Sequence, residues 1–480
     1  MKLDSYVLRW EIRWKKKRKI LRKIAGLLCM VILIAVIPAD ESKTVYAQTI
    51  SASSSSTKTI VCGKQAKIKL PSGYSKCKFS TSNKKVAIVN SRGVVKTVRL
   101  GTAKITAKSG NKKKTYTITV TPARAGDVRL NYQAVLTSQK FQLKLVSDKY
   151  DTSQVRLKFD CGFSKVNSKG FCAGIKNAGW ASMEYYYGSF KKSTKLAVYS
   201  PDRMMCDILK CDWGDDSGNC NLDAGVPEKT SVTSMVDSGK KITPGTLRKQ
   251  GISLFVDKEE MADTMIYTPG KHTISIVSGN KEISRKVNIS YSVKDALIKR
   301  DATGYDAECK EVFDAAFAAV SQIITEGMRD EEKVKAIHDY LIYNADYVNN
   351  GDYDSAEKWA YGASGVLLHK EGVCQSYAIV FYMMATAAGV ECEYVTGTAT
   401  NSEGSPGDHA WNRVCLDGIW YYIDCTWDDP IYNGHSGGGE RYTYYLSERL
   451  WSNHTVEKTT DFASKGKYYW KNYYLTGQGY

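Results

Sequence analysis

The apolar period of this chain changes near residue 293, and no single layer architecture accommodates both halves. Between residues 59 and 122 apolar and polar residues alternate in short runs: Lys67-Ile-Lys-Leu, Val86-Ala-Ile-Val, Gly93-Val-Val-Lys-Thr-Val, Ala103-Lys-Ile-Thr-Ala and Tyr116-Thr-Ile-Thr-Val. Turn-forming residues separate them at Pro71-Ser-Gly, Ser82-Asn, Ser91-Arg-Gly and Ser109-Gly-Asn. Short strands at this spacing predict a small β-sandwich. Residues 123–292 also read mostly as strands, as in Phe141-Gln-Leu-Lys-Leu-Val, Gly251-Ile-Ser-Leu-Phe-Val and Val287-Asn-Ile-Ser-Tyr-Ser-Val. From residue 293 the spacing becomes helical. Helices are predicted over Asp306–Ile324 and Asp330–Val348, with Val334, Ile337, Leu341 and Ile342 as a core stripe. A third is expected over about 355–369, and a fourth from Gln375 to about Ala388, closed by Gly389. Strands follow.

At about 150 residues per domain, the length of 480 residues suggests three domains. The formal net charge is +18, which invites a nucleic-acid reading. The charge is unevenly placed. Residues 1–23 hold ten Lys/Arg and two acids, and residues 48–122 hold sixteen Lys/Arg and no acid. Residues 123–480 are net −5. A basic leader, a basic module and a mildly acidic majority do not make a nucleic-acid-binding surface of the whole chain, and no nucleic-acid partner is expected.

The run Ile24–Pro38 is uncharged, follows the basic stretch and precedes Thr44-Val-Tyr-Ala47. This is the pattern of an export signal, with cleavage expected after Ala47. Fifteen helical residues span about 22 Å, short of the roughly 30 Å hydrocarbon core, so a permanent anchor is disfavoured and contact with the membrane is expected only through the leader. Export permits disulfides. Of 13 cysteines, Cys29 lies in the leader. Cys62/Cys77, Cys161/Cys172 and a pair among Cys206, Cys211 and Cys220 are candidates for pairing. The acidic stretch Asp212–Asp223 lacks the spacing of an EF-hand loop and is read as a solvated turn.

The residues that carry chemistry lie further on. Cys374 stands between the glycine turn Lys370-Glu-Gly-Val and the fourth predicted helix, where unpaired N–H groups and the helix dipole favour a thiolate. His409-Ala-Trp-Asn-Arg-Val-Cys-Leu416 and Ile419-Trp-Tyr-Tyr-Ile-Asp-Cys-Thr426 flank Asp417-Gly418, a strong signal for a two-residue hairpin turn. That register sets Leu416 opposite Ile419, Trp411 opposite Asp424 and His409 opposite Thr426. It places His409 and Asp424 on one face, as diagonal neighbours within side-chain reach. A carboxylate there fixes the imidazole's tautomer. A thiol facing such a pair suits nucleophilic acyl transfer. His454 reads as structural or peripheral, Cys425 as core, and Asp428 and Asp429 as turn caps before Pro430. The Gly/Ser-rich loops Thr398–Asp408 and Asn433–Gly439 are either walls of a substrate site or plain connections. There is no metal-ligand spacing and no phosphate-binding glycine motif, so neither metal nor cofactor is expected.

Two resemblances sharpen this. The stretch STSNKKVAIVNSRGVVKTVRLGTAKITAKSGNKKKTYTITV resembles the bacterial Ig-like domain, group 2, over about residues 59–122. Such modules act as spacers or surface-binding units of exported bacterial proteins. The blocks GVCQSYA and HAWNRVCLDGIWYYIDCTWDDP resemble the core of the transglutaminase-like superfamily over about residues 330–430, with weaker similarity out to YYLSERLWSNHT. That resemblance implies a papain-like α+β fold, with Cys374 as nucleophile, His409 as general base and then acid, and Asp424 as orienter. It implies an oxyanion held by the Cys374 N–H and a second donor, for which Tyr361 and Gln375 are candidates. Trp411 and Trp427 are expected to pack around the site.

The expected fold class is thus multidomain: an export leader (1–47), an all-β Ig-like sandwich (48–122), a mostly-β region (123–292) and an α+β transglutaminase-like domain (293–480). The expected function is that of an exported, cell-surface bacterial thiol enzyme. It would act on a polypeptide or cell-wall peptide through a thioester, as a protease, amidase or transglutaminase. The alternative is a surface-binding or adhesion protein whose domain of this fold is inactive. The basic Ig-like module is expected to meet anionic cell-wall polymers.

Overall fold

The computed structural model describes residues 48–51, 57–161, 166–212, 220–233, 239–348, 357–429, 431–432, 435–436, 441–463 and 468–477. The expected leader, 1–47, and most of the Asp212–Asp223 stretch lie outside them. Among the described residues no helix is long and apolar enough to cross a membrane. The chain is multidomain, strand-rich toward its N-terminus and helical toward its C-terminus.

Alternation in residues 59–122 produces two four-stranded sheets. One carries Gly101–Ser109 and Lys112–Thr121 as its central hairpin; the other contains Gln65–Ile68 and Val94–Thr97. Ile60, Ala66, Val95, Ile105, Ile118 and Val120 fill the space between them. The same apolar cluster continues into the next region through Tyr185, Tyr187 and Leu196, and the Tyr187 hydroxyl donates to the Val120 carbonyl at 3.1 Å.

Residues 123–292 contain two further four-stranded sheets. One pairs Gly179–Tyr187 with Phe190–Tyr199, and the other pairs Gly270–Ser278 with Lys281–Ile289. Two helices, Pro201–Leu209 and Pro244–Gln250, interrupt the strands. The first starts at Ser200, whose hydroxyl accepts from the Arg203 N–H, and has proline in its first turn. Cys62, Cys77, Cys206 and Cys220 carry free thiols, so no bridge joins Cys62 to Cys77 or Cys206 to Cys220.

The C-terminal part places helices on one side of an antiparallel sheet. In chain order the elements are α1 (Val293–Lys299), α2 (Ala307–Ile323), α3 (Asp330–Asn344), α4 (Cys374–Ala387), β1 (Glu391–Thr400), β2 (Pro406–Leu416), β3 (Ile419–Ile423), the single turn α5 (Cys425–Asp428), β4 (His454–Thr460) and α6 (Tyr468–Thr476). The strands run in the order β3-β2-β1-β4. α2 begins where the Asp306 carboxylate accepts from the Cys309 N–H at 2.8 Å. α4 is buried almost all round, as its continuous apolar sequence requires, and it packs against α1, α2 and α3 and the sheet. Burying Ile379, Phe381 and Met383 there contributes roughly 1.5–3 kcal/mol each.

The helix expected over 355–369 is not a regular one in its described part. A 3₁₀ turn covers Lys358–Tyr361 and a π-helical turn covers Gly365–His369. The cause is visible in the backbone. The Ala360 carbonyl accepts from the Val373 N–H, the Gly362 carbonyl accepts from the Ser376 hydroxyl, and the Val366 N–H donates to that hydroxyl. Groups that a helix would pair internally instead brace the start of α4.

Candidate functional site

Cys374 is the first residue of α4 and is half-buried. The N–H groups of a helix's first turn have no intrahelical acceptor and point past its start. The bracing from 360–366 fixes where that start lies. The Gln375 amide, a candidate oxyanion donor from the sequence, is engaged elsewhere: its Nε2 donates to the Tyr361 carbonyl at 2.9 Å and its Oε1 accepts from the Tyr473 hydroxyl at 3.1 Å.

The hairpin turn is the expected two-residue one. Asp417 and Gly418 have φ of +50° and +83°, both in the left-handed region that this turn demands. Leu416 pairs with Ile419, and the ladder runs to Asn412 opposite Ile423. It stops there. The Asp424 N–H turns to the Tyr444 carbonyl at 2.9 Å, and the chain enters α5. The expected pairing of His409 with Thr426 is therefore absent, because Thr426 belongs to a helical turn. Asp424 caps that turn through Oδ1, which accepts from the Trp427 N–H at 3.2 Å.

The register still delivers His409 to Asp424. His409 Nε2 lies 2.7 Å from Asp424 Oδ2, with both side chains almost wholly buried. This leaves Nδ1 outside the Asp424 contact, and Cys374 acts on the ring through charge and hydrogen bonding. Burial disfavours the imidazolium, but the Asp424 charge and hydrogen bond, with the Cys374 contact, outweigh it and push His409 up to about 10. Burial likewise opposes the Asp424 carboxylate, and His409 and His454 overcome it, bringing Asp424 down to about 2.

His454 is the residue sequence reasoning missed. It is fully buried, and its Nε2 lies 3.1 Å from the same Asp424 Oδ2. It arrives on β4, which pairs with β1 so that His454 lies opposite Ala399. Trp411 and Trp427 surround both imidazoles, as expected. Trp427 is 5.3 Å from the His409 ring and 4.6 Å from His454; Trp411 is 5.8 Å and 5.0 Å away. Tyr444 and Trp451 complete the cage around His454. His409, Asp424 and His454 offer three ligand-type atoms within 4.8 Å of one another. The carboxylate oxygen stands at hydrogen-bond separation from both nitrogens, so a metal would have to displace both of those contacts.

Asp428 and Asp429 are not simple turn caps. Asp428 is buried, takes the Tyr444 N–H at 2.9 Å on Oδ1 and faces His338 Nε2 at 3.2 Å through Oδ2. Asp429 accepts from the Tyr377 hydroxyl at 2.6 Å. Together they bind α5 to α3 and α4. Cys425 is buried in the core. The loop expected over 398–408 is mostly strand, with a tight turn at 401–405 where Asn401 Oδ1 accepts from the Glu403 and Ser405 N–H groups. The second loop, 433–439, lies mostly outside the described residues.

Residues 318–425 match the transglutaminase-like superfamily, and residues 80–122 match a bacterial Ig-like domain. Kyphoscoliosis peptidase of Mus musculus is 30% identical over 122 residues, 23% of this chain and 18% of that protein. Lim and transglutaminase domain protein ltd-1 of Caenorhabditis elegans is 29% identical over 86 residues, 15% of this chain and 12% of that protein. The chain spans less than a fifth of the length of these curated relatives. Among solved structures, calcium-bound LapG of Legionella pneumophila aligns at 11% identity and TM-score 0.22, covering 35% of this chain and 83% of that one. A putative cysteine protease from Cytophaga hutchinsonii aligns at 15% identity and TM-score 0.20, covering 44% and 76%. Residues 318–425 are thus a transglutaminase-like domain and residues 80–122 a bacterial Ig-like domain within one multidomain chain.

Proposed function

We propose that this protein is an exported, cell-surface thiol enzyme that cleaves or transfers at peptide or carboxamide bonds. The observation that carries the reading is His409, held by Asp424 through Nε2, with Cys374 at the start of α4 acting on the same ring. The Cys374 sulfur attacks the substrate carbonyl carbon, and the oxyanion forms beside the first-turn N–H groups of α4. His409 gives its proton to the departing nitrogen as the C–N bond breaks, leaving a thioester. His409 then takes a proton from water or an amine as that molecule attacks, and the thiol is restored. Asp424 keeps the ring in the tautomer and orientation both steps need. The peptidase name of the vertebrate relative favours water as the acceptor. The substrate is a polypeptide or cell-wall peptide. The exposed lysines of the Ig-like module, among them Lys64, Lys84, Lys96, Lys104 and Lys113, suit attachment to anionic wall polymers, and binding to isolated walls should weaken as salt rises.

The test is alkylation of Cys374 by iodoacetamide at neutral pH, resolved from other thiols by peptide mapping and compared with His409→Ala. Alkylation well above the rate of a free thiol, slowed at least tenfold by His409→Ala, is the expected result. A rate equal to a free thiol and indifferent to His409 would end the enzyme reading.

A further inference from the structure

We infer that His454 is a positioning residue of the catalytic site, acting on His409 through the oxygen of Asp424 that both imidazoles share. The inference rests on the reading given under Proposed function. His454 cannot touch substrate or sulfur itself. Its side chain is 0% exposed, and Trp411, Trp427, Tyr444 and Trp451 enclose it at ring separations of 4.6–5.7 Å. Both ring nitrogens are engaged. Nε2 faces Asp424 Oδ2 at 3.1 Å, and Nδ1 faces Asn453 Oδ1 at 3.0 Å. The Asn453 amide is oriented independently, because its Nδ2 donates to the Tyr444 hydroxyl at 3.3 Å and reaches toward the Thr400 carbonyl at 3.5 Å. The ring is clamped at both nitrogens, whereas Asp424 holds His409 through Nε2.

Packing alone does not account for a histidine here. A buried polar ring is costly unless its hydrogen bonds are satisfied, and an apolar ring of similar size would fill an aromatic cage without that cost. The polar function is explained by Asp424. That carboxylate is fully buried and, among the described residues, accepts on Oδ1 the Trp427 N–H at 3.2 Å. With His409 alone on Oδ2, its charge would bear on one imidazole. A second donor on the same oxygen shares that charge, keeps the carboxylate ionised and fixes Oδ2 in place, so that His409 is held firmly but releases its proton more readily. The titratable groups facing His409 are Asp424 beyond β3, His454 on β4 and Cys374 on α4.

The experiment uses the full chain with ¹⁵N-labelled histidine. In the wild type, the ring nitrogens of His409 and His454 should both show a protonated Nε2, and both signals should shift in Asp424→Asn. In His454→Phe, the titration of His409 should move upward by half a unit or more. The high-pH inflection in Cys374 alkylation by iodoacetamide should move with it, while His454→Gln, which keeps a donor, should largely restore both. An unprotonated Nε2 on His454 in the wild type would overturn the inference even if His454→Phe does not fold. So would an unmoved His409 titration in a folded His454→Phe. If wild-type Cys374 alkylates no faster than a free thiol, the enzyme reading fails, yet the imidazole signals still decide whether His454 acts on His409.

Discussion

Three N–H groups converge on the Asp424 carboxylate, from His409, His454 and the Trp427 backbone. The two imidazoles bring its titration down to about 2 against the opposing effect of burial. A carboxylate with a folded pKa below its unfolded value near 3.9 contributes stability that is complete above that value and disappears as pH falls toward 2. His409 has the opposite sign. Raised to about 10, its contribution is complete below its unfolded value near 6.5 and fades as pH climbs toward 10. The pair should therefore stabilise the C-terminal domain most between about pH 4 and 6.5. The acid limb alone is worth on the order of 2 kcal/mol. Asp424→Asn should flatten both limbs, because the rise in His409 derives largely from Asp424. Urea unfolding followed by tryptophan fluorescence from pH 2 to 10 measures this. A variant profile parallel to that of the wild type would refute the coupling.

Among the elements, the hairpin was readable because one local feature, Asp417-Gly418, sets both turn and register. Where the ladder ends was not readable, since that depends on the Tyr444 carbonyl capturing the Asp424 N–H from 20 residues away. Nor was His454, which reaches Asp424 only because β4 adds to the far edge of β1, a pairing with no local signal. The lost helix near 358–369 has the same origin, in bonds to a distant helix start. β4 docks closely enough to test. A Cβ on Gly397 would sit 1.9 Å from the Thr455 carbonyl oxygen and 3.0 Å from the Trp411 ring. Gly397→Ala should push β4 off β1, lower stability by about 1–3 kcal/mol and slow Cys374 alkylation by displacing His454. Thermal unfolding and alkylation rates check this together. Unchanged values for both would mean that the strand pair yields at no cost to the site.

At the scale of the whole molecule, α6 joins the mostly-β region to the site. Lys471 Nζ lies 2.7 Å from Asp223 Oδ1, 3.3 Å from Ser290 Oγ and 3.2 Å from the Tyr291 carbonyl, with both charged side chains buried. Two residues on, the Tyr473 hydroxyl holds the amide of Gln375, the neighbour of Cys374. Nothing in the sequence links Asp223 to Lys471, which are 248 positions apart. Removing one partner of a buried pair strands the other's charge at a cost of about 3–5 kcal/mol, whereas replacing both with apolar residues is often neutral. Lys471→Met should therefore destabilise the chain by about 3 kcal/mol, and Lys471→Met combined with Asp223→Leu should recover most of the loss. Cys374 alkylation should slow in the single variant, and should recover in the double one if a filled interface is enough to seat α6. The two readouts separate the roles. Recovery of stability without recovery of alkylation would show that the charge pair, and not merely a filled interface, seats the helix beside the nucleophile. Equal stability in wild type and single variant would show that the contact carries no load between the two regions.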